Sequence, residues 1–298
     1  MEHKNAIVLA MFGTSVESAL PGLLHIRDTM VEAYPNTLVR MALTSNIIRR
    51  IWQKRVQDQQ YIRDHPEVPG AILNAQGPLA AIANLQDQGF DSIVVQSVHI
   101  APAEEFIDLA SYVEGLNSIQ TMKPVYSPFQ KLVIGRPALG TFGDRYPYAA
   151  DVQFAARALA DDARLAEKQG AALLYMGHGN TSFPSGGVYL QLAAEMRDLY
   201  PGVMTVIATV EGFPKIDEAV SRLRESGIKK VLLKPLMVAA GKHVRKDMTG
   251  PDSWAVLLQN QGFEIEPVVS GLGEQDAFAG IFVKHAGDAA VDAGIVLR

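Results

Sequence analysis

Short apolar runs in this chain alternate with helical segments, and the order of that alternation occurs twice. Residues 6–11 (AIVLAM) form a continuous apolar run, as a strand buried on both faces requires. Residues 18–34 then carry helical spacing and stop at Tyr34-Pro35-Asn36. Further strands are expected at 38–43 (LVRMAL), 92–100 (SIVVQSVHI) and 131–135, with a helix at 78–88 stopped by Gly89. The second half follows the same plan. Strands are expected at 171–176, 204–210 (MTVIATV), 230–238 (KVLLKPLMV) and 264–269, with helices at 187–200 and 214–226, the second stopped by Gly227. Strands separated by helices indicate βαβ units and a parallel sheet.

The two halves also match residue by residue. Tyr34-Pro35 and Tyr200-Pro201 lie 166 residues apart, and the first strands align at 165, Leu9 against Leu174. LQDQGFDSIVVQSVHIAPAEE (85–105) aligns with LRESGIKKVLLKPLMVAAGKH (223–243) at an offset of 138. The first half therefore carries about 28 extra residues, placed in the charged stretch between Asn46 and Ala75. All parallel α/β units look alike to some degree, but the shared Tyr-Pro and the long glycine-centred match favour a duplication. The expected fold is α/β: two similar domains, each an open parallel sheet flanked by helices, at 1–137 and 138–298. The C-terminal helix is free to pack back on the N-terminal lobe. A length of 298 residues suits two cores.

Composition removes several kinds of chemistry. Cysteine is absent, so disulfides, thiolate nucleophiles and thiolate metal ligands are excluded, and any metal must be held by nitrogen and oxygen. The net charge of −5, with no block of Lys or Arg, argues against a nucleic-acid partner. The apolar run before Gly13 is too short for a signal peptide or a membrane span. A cytoplasmic protein without membrane contact is expected, or a periplasmic one if a leader has been removed.

In open parallel sheets, ligands bind beyond the carboxyl ends of the strands. Three successive strands of the second half end in a possible ligand or acid/base group: His178 in MGHGN, Glu211 after MTVIATV, and His243 after KVLLKPLMVAAG. Singly, each reads equally well as an ordinary loop residue. Together, two imidazoles and one carboxylate make a plausible divalent-metal site. The duplication pairs His178 with Gly13, Glu211 with Ser45 and His243 with Glu105, so the first half lacks the set except for Glu105. Glu105 and His99 are secondary candidates facing the same cleft, although a hydrogen-bonded core histidine is the favoured reading of His99. His3, His25 and His65 read as surface residues, and His285 completes the seven histidines.

Other motifs are weaker. Neither GxxxxGK[ST] nor GxGxxG is present at residues 135–143, and Ser182 and Ser185 lack the GxSxG elbow of a serine hydrolase. Gly13, Thr14 and Ser15 suit an anion at a helix N-terminus or a helix cap, the cap being preferred. Lys242, Arg245 and Lys246 flank His243 and suit either solvent or the carboxylates of an acidic substrate.

Taken together, VLAMFGTS, TSNIIRR, VQSVHIAPAEEF, MGHGN, VEGFP, PLMVAAGKHVRKDM…DSW and VSGLGE resemble the anaerobic cobalt chelatases of the CbiK family, from about Asn5 to about His285. The resemblance implies a bilobal chelatase fold related to that of ferrochelatase, with the active-site cleft between the lobes. It implies ATP-independent insertion of Co2+ into sirohydrochlorin in cobalamin biosynthesis, with Fe2+ or Ni2+ as alternative substrate metals and no organic cofactor. The family's metal-binding histidines fall on His178 and His243, its active-site glutamate on Glu211, and the first-half glutamate on Glu105. Gly13, Thr14, Ser15, Lys242 and Arg245 become candidates for holding the carboxylate-rich macrocycle. Some members bind haem between subunits of a homo-oligomer, and His99 is the first candidate for such a ligand. The chain departs from the family pattern around 55–70 and in a longer 141–163 stretch. The competing readings are a tetrapyrrole or metal carrier, an iron chelatase for sirohaem or haem, and a metal-dependent hydrolase.

Overall fold

The computed structural model describes residues 4–181 and 185–298, so His3 and Ser182 lie outside the described residues. The first sheet contains β1 (Lys4–Met11), β2 (Leu38–Leu43), β3 (Phe90–Val98) and β4 (Lys131–Gly135) in the order β2-β1-β3-β4. The second contains β5 (Ala172–Gly179), β6 (Thr205–Glu211), β7 (Lys230–Leu236) and β8 (Glu264–Pro267) in the order β6-β5-β7-β8. Every pairing is parallel and the two strand orders are the same. These are the two similar, helix-flanked α/β units expected from the repeated pattern.

The ladders also fix the internal alignment. Met11 pairs with Leu43 and Val98, while Gly177 pairs with Thr209 and Leu236. The first strands of the two halves therefore correspond at an offset of 166, not 165, and the counterpart of His178 is Phe12 rather than Gly13. The one-residue error has a physical origin. Strands buried on both faces are apolar at every position, so side-chain pattern does not discriminate between neighbouring registers. The pairings of Glu211 with Ser45 and His243 with Glu105 are unaffected.

The surplus residues of the first half form α2 (Asn46–Arg55), α3 (Gln59–Asp64) and α4 (Gly70–Leu73), ahead of α5 (Pro78–Asp87). Ser45 caps α2 by accepting from Ile48 N, and Asp58 caps α3 by accepting from Gln60 N and Tyr61 N. Despite its charge, this segment buries Trp52, Val68 and Ile72 in the core. The remaining first-lobe helices are α1 (Leu20–Ala33), which follows a 3-10 turn at Glu17–Ala19, and α6 (Glu104–Asn117).

In the second half lie α7 (Tyr148–Ala158), α8 (Ala160–Lys168), α9 (Gly186–Leu199), α10 (Ile216–Ser226), α11 (Trp254–Asn260) and α12 (Asp276–Ala293). Helix α12 follows the second sheet in sequence yet packs on α1, β3 and β4 of the first, with Phe278 and Phe282 fully buried. Arg136, just beyond β4, secures this crossing. Its Nε donates to Asp151 on α7 at 2.6 Å and its Nη2 to Asp288 on α12 at 2.9 Å. Among the described residues no helix is long and apolar enough to cross a membrane.

Beneath the second sheet, Tyr175 on β5 and Lys234 on β7 are register partners, and both reach Asp162 on α8. The Tyr175 hydroxyl donates at 2.7 Å, Lys234 forms an ion pair, and Gln275 Nε2 donates at 3.0 Å. All three members of the Asp–Lys–Tyr group are buried. The same two strands lead to His178 and His243.

Candidate active site

Strand β5 runs to Gly179, so His178 lies inside its last turn rather than after it. The neighbouring strand end, Glu211-Gly212, is locked against it. A Cβ at Gly179 (φ 76°) would lie 1.8 Å from Glu211 O, and one at Gly212 (φ 77°) would lie 2.3 Å from Asn180 O. Only glycine tolerates both the positive φ and the close approach. Gly179 and Gly212 are therefore a packing constraint that fixes the His178 backbone.

Each histidine has Nδ1 engaged by an acceptor. His178 Nδ1 lies 3.0 Å from Gly179 O, and His243 Nδ1 lies 2.7 Å from Asp247 Oδ2. A carbonyl or carboxylate oxygen only accepts, so a proton sits on each Nδ1, and it is Nε2 that carries the lone pair whenever the ring is neutral. The rings stand edge to face with centroids 4.7 Å apart. That spacing suits two Nε2 atoms on one ion at bonds of about 2.1 Å. Asp247 supports His243 as a carboxylate supports a metal-ligating imidazole. It sits in a π-helical turn, Val244–Met248, a backbone irregularity that recurs at functional sites.

Glu211 takes the end of β6, exposed and paired in the ladder with Gly179. Among the described residues no group of three or more His, Asp or Glu side chains stands close enough to hold a metal ion. The structure thus gathers His178 and His243 but does not close the Glu211 carboxylate on them. Parallel partners lie about 4.8 Å apart, so Glu211 stands one ladder step from the His178 strand.

Across the cleft, Glu105 is half-buried in the first turn of α6. Burial raises its carboxyl pKa above the usual range. A hydrogen bond from Thr44 and the charge of His178 lower it, and Asp108 and Glu104 raise it again. The Thr44 hydroxyl also lies 3.4 Å from His99 Nε2, while His99 Nδ1 lies 2.8 Å from Ser97 Oγ. Burial pushes the His99 pKa down to about 4, so this imidazole is neutral at pH 7. With both ring nitrogens engaged, haem ligation by His99 would require breaking a hydrogen bond. Asn180 Nδ2 spans the cleft to Glu104 Oε2 at 3.0 Å.

The Gly13–Thr14–Ser15 turn is not a helix cap. Thr14 Oγ1 accepts from Val16 N at 3.2 Å, closing a turn two residues ahead, and α1 starts only at Leu20, after Ala19. Thr14 is buried, Lys242 is exposed, and Arg245 donates to Ser18 Oγ. The other histidines stand elsewhere. His25 Nε2 lies 2.9 Å from Asp276, His65 stacks on Tyr61, and His285 is fully buried with Nδ1 3.2 Å from Arg136 O. Sequence reading missed Asp247 and Thr44. The i, i+4 spacing of His243 and Asp247 on a helical turn was an available signal for the first. Nothing local marks Thr44, which reaches His99 across the end of β1.

Two lobes of one winding, with an imidazole pair at the strand ends, make a bilobal α/β protein of the fold seen in chelatases. Solved structures agree on the fold: SirB from Bacillus subtilis with Fe3+ superposes with a TM-score of 0.60 at 13% identity, covering 99% of this chain and 100% of that one. The sirohydrochlorin chelatase SirB from Bacillus subtilis subspecies spizizenii in complex with cobalt gives 0.58 at 11%, covering 97% and 96%. The cobalt chelatase (CbiK) family profile matches residues 5–291, and the chain belongs to that family. Its relatives include sirohydrochlorin cobaltochelatase CbiKC of Nitratidesulfovibrio vulgaris, 30% identical over 95% of this chain and 89% of that protein. The sirohydrochlorin cobaltochelatase of Salmonella typhimurium is 29% identical over 95% of both.

Proposed function

We propose that this chelatase inserts Co2+ into sirohydrochlorin, the activity its relatives' names describe for them, and that it does so without ATP. The observation that carries the reading is the imidazole pair: both Nδ1 atoms are tied to acceptors, Nε2 carries the lone pair of each neutral ring, and the ring centroids are 4.7 Å apart. In this reading His178 and His243 receive the incoming ion. Glu211 joins them from the adjacent strand end by turning about its own side-chain torsions. The macrocycle lies in the cleft, its carboxylates met by Lys242, Arg245 and the donors around Gly13–Ser15. Insertion displaces two pyrrole protons; Glu105 accepts one from its side of the cleft, and His178 accepts the other on Nε2 once the ion has passed to the macrocycle. A site built from nitrogen and oxygen suits Co2+, Fe2+ and Ni2+ alike, so geometry and supply select the metal. The absence of thiolates suits an ion that must be released into a product.

Mixing the protein with excess sirohydrochlorin and Co2+ should convert many equivalents of macrocycle, followed by the change in its visible absorption spectrum. Metal uptake that halts at one equivalent would replace the enzyme with a carrier.

The raised Glu105 pKa gives this reading a pH signature. Protonation of Glu105 removes a base, so activity falls as pH drops through that pKa. Thr44→Val deletes an interaction that favours the carboxylate and raises the pKa further. The acid limb of the kcat/KM profile should therefore move to higher pH in Thr44→Val. An unmoved limb would remove Glu105 from proton acceptance.

A further inference from the structure

The chain hands β7 over to His243 through the six residues 237–242 that follow the strand end at Leu236, so the ladder alone does not set where this imidazole stands. Leu272 N and Gly273 N donate to Met237 O and Val238 O and hold the first residues of this segment, and the first lobe makes the contacts nearer His243. Gly22 in α1 lies against the Val238 carbonyl, where an added Cβ would sit 2.8 Å away. A Cβ added at Gly241 would lie 3.0 Å from Thr14 Oγ1, and Arg245 donates to Ser18 Oγ. Gly241 and Arg245 stand two residues to either side of His243. Loop 14–18 is therefore the surface that meets the residues directly flanking His243.

That loop is in turn held by the segment that only the first half possesses. Trp52 Nε1 donates to Thr14 O at 2.9 Å, and Arg55 Nη1 donates to Ser15 O at 2.7 Å. Arg55 Nη2 lies 3.2 Å from Glu17 Oε1, the same oxygen that accepts from the Tyr61 hydroxyl at 2.7 Å. The guanidinium carbon sits 4.6 Å from the Trp52 ring centroid and 5.0 Å from that of Tyr61. One planar fork thus binds a backbone carbonyl and a carboxylate while in cation–π contact with two rings set edge to face, a combination a lysine ammonium reproduces only in part.

We propose that Arg55 is a positioning residue for metal insertion. By fixing loop 14–18 from the outside, it sets the place of the His243 loop relative to His178. The extra segment of the first lobe is then a brace across the cleft rather than a solvated insertion. Helices α2 and α3 supply the two rings and the fork, loop 14–18 transmits the constraint, and Gly241–Arg245 receive it. This inference rests on His243 being a metal-handling residue, as proposed above.

The test compares the full-length wild type with Arg55→Ala, Arg55→Lys, Ser18→Ala and the Arg55→Ala/Ser18→Ala double variant. Hydrogen–deuterium exchange, which needs no turnover, should rise in Arg55→Ala both at 14–18 and at 241–248. Co2+ insertion should fall about tenfold in kcat, a change of ~1.4 kcal/mol, with the KM for sirohydrochlorin near that of the wild type. Arg55→Lys should recover part of the loss. Because Arg55 and Ser18 act along one path, the double variant should lose no more activity than the weaker of the two single variants. The brace is overturned if exchange rises only at 14–18, if kcat is unchanged, or if the two losses multiply. Should circular dichroism show Arg55→Ala unfolded, the same exchange comparison on Arg55→Lys decides. A wild type that fails to insert Co2+ would sink the proposed function, while the exchange pattern would still judge the brace.

Discussion

His178→Ala and His243→Ala should each cut steady-state Co2+ insertion into sirohydrochlorin by at least ~100-fold, the lower range for losing a positioned acid/base group. Each substitution deletes one Nε2 donor. The pair offers two such donors, and among the described residues no group of three His, Asp or Glu side chains is placed to hold an ion and compensate. Neither histidine lies in the apolar core, so both variants should keep wild-type far-UV circular dichroism. Asp247→Asn should give a smaller loss. The amide oxygen still accepts from Nδ1, but without the full charge that raises the basicity of the ring. Near-normal insertion by both alanine variants would overturn the assignment of the site.

Asp162→Ala should destabilise the protein by about 3–5 kcal/mol, the range for removing one partner of a buried ion pair. Lys234 and Asp162 are each only 4% exposed as side chains, so the ammonium would remain buried without its counter-charge. The Tyr175 hydroxyl would lose its acceptor as well. Replacing both charged groups, as in Asp162→Leu with Lys234→Met, should cost less than Asp162→Ala alone, because no charge is then stranded. Urea denaturation of the single and double variants measures this directly. A loss below about 1 kcal/mol in Asp162→Ala would mean that water or relaxation supplies Lys234 with another partner. The effect extends to the site, since Asp162 holds adjacent residues of β5 and β7, the two strands that carry the histidines.

Much of the architecture was legible because its signals are local. Strand β2 at Leu38–Leu43 and β4 at Lys131–Gly135 coincide with their apolar runs, and Gly227 ends α10 in the left-handed conformation its position suggested. The strand-end rule singles out His178 and His243, and these two rings do meet. Glu211 obeyed the same rule and yet stands apart from them. A rule about strand ends places a Cα atom, while the side-chain torsions decide where a carboxylate points. Thr14 looked like a helix cap because small hydroxylated residues before a helix usually are. Its partner, Val16 N, belongs instead to a turn that delays the helix.

The sequence by itself determined the class of fold, the duplication, the extra segment and the family, because apolar runs, glycine stops and long motif matches are written along the chain. It also determined that any metal would meet nitrogen and oxygen, since no cysteine exists. Only the tertiary structure decided the register of the duplication, which a ladder of hydrogen bonds settles and an all-apolar strand leaves open. The same holds for Asp247 behind His243, for Thr44 between His99 and Glu105, and for the Arg55 contacts under loop 14–18. Each depends on how two separate backbone segments approach, and that approach is set by packing of the shared core rather than by the residues that exploit it.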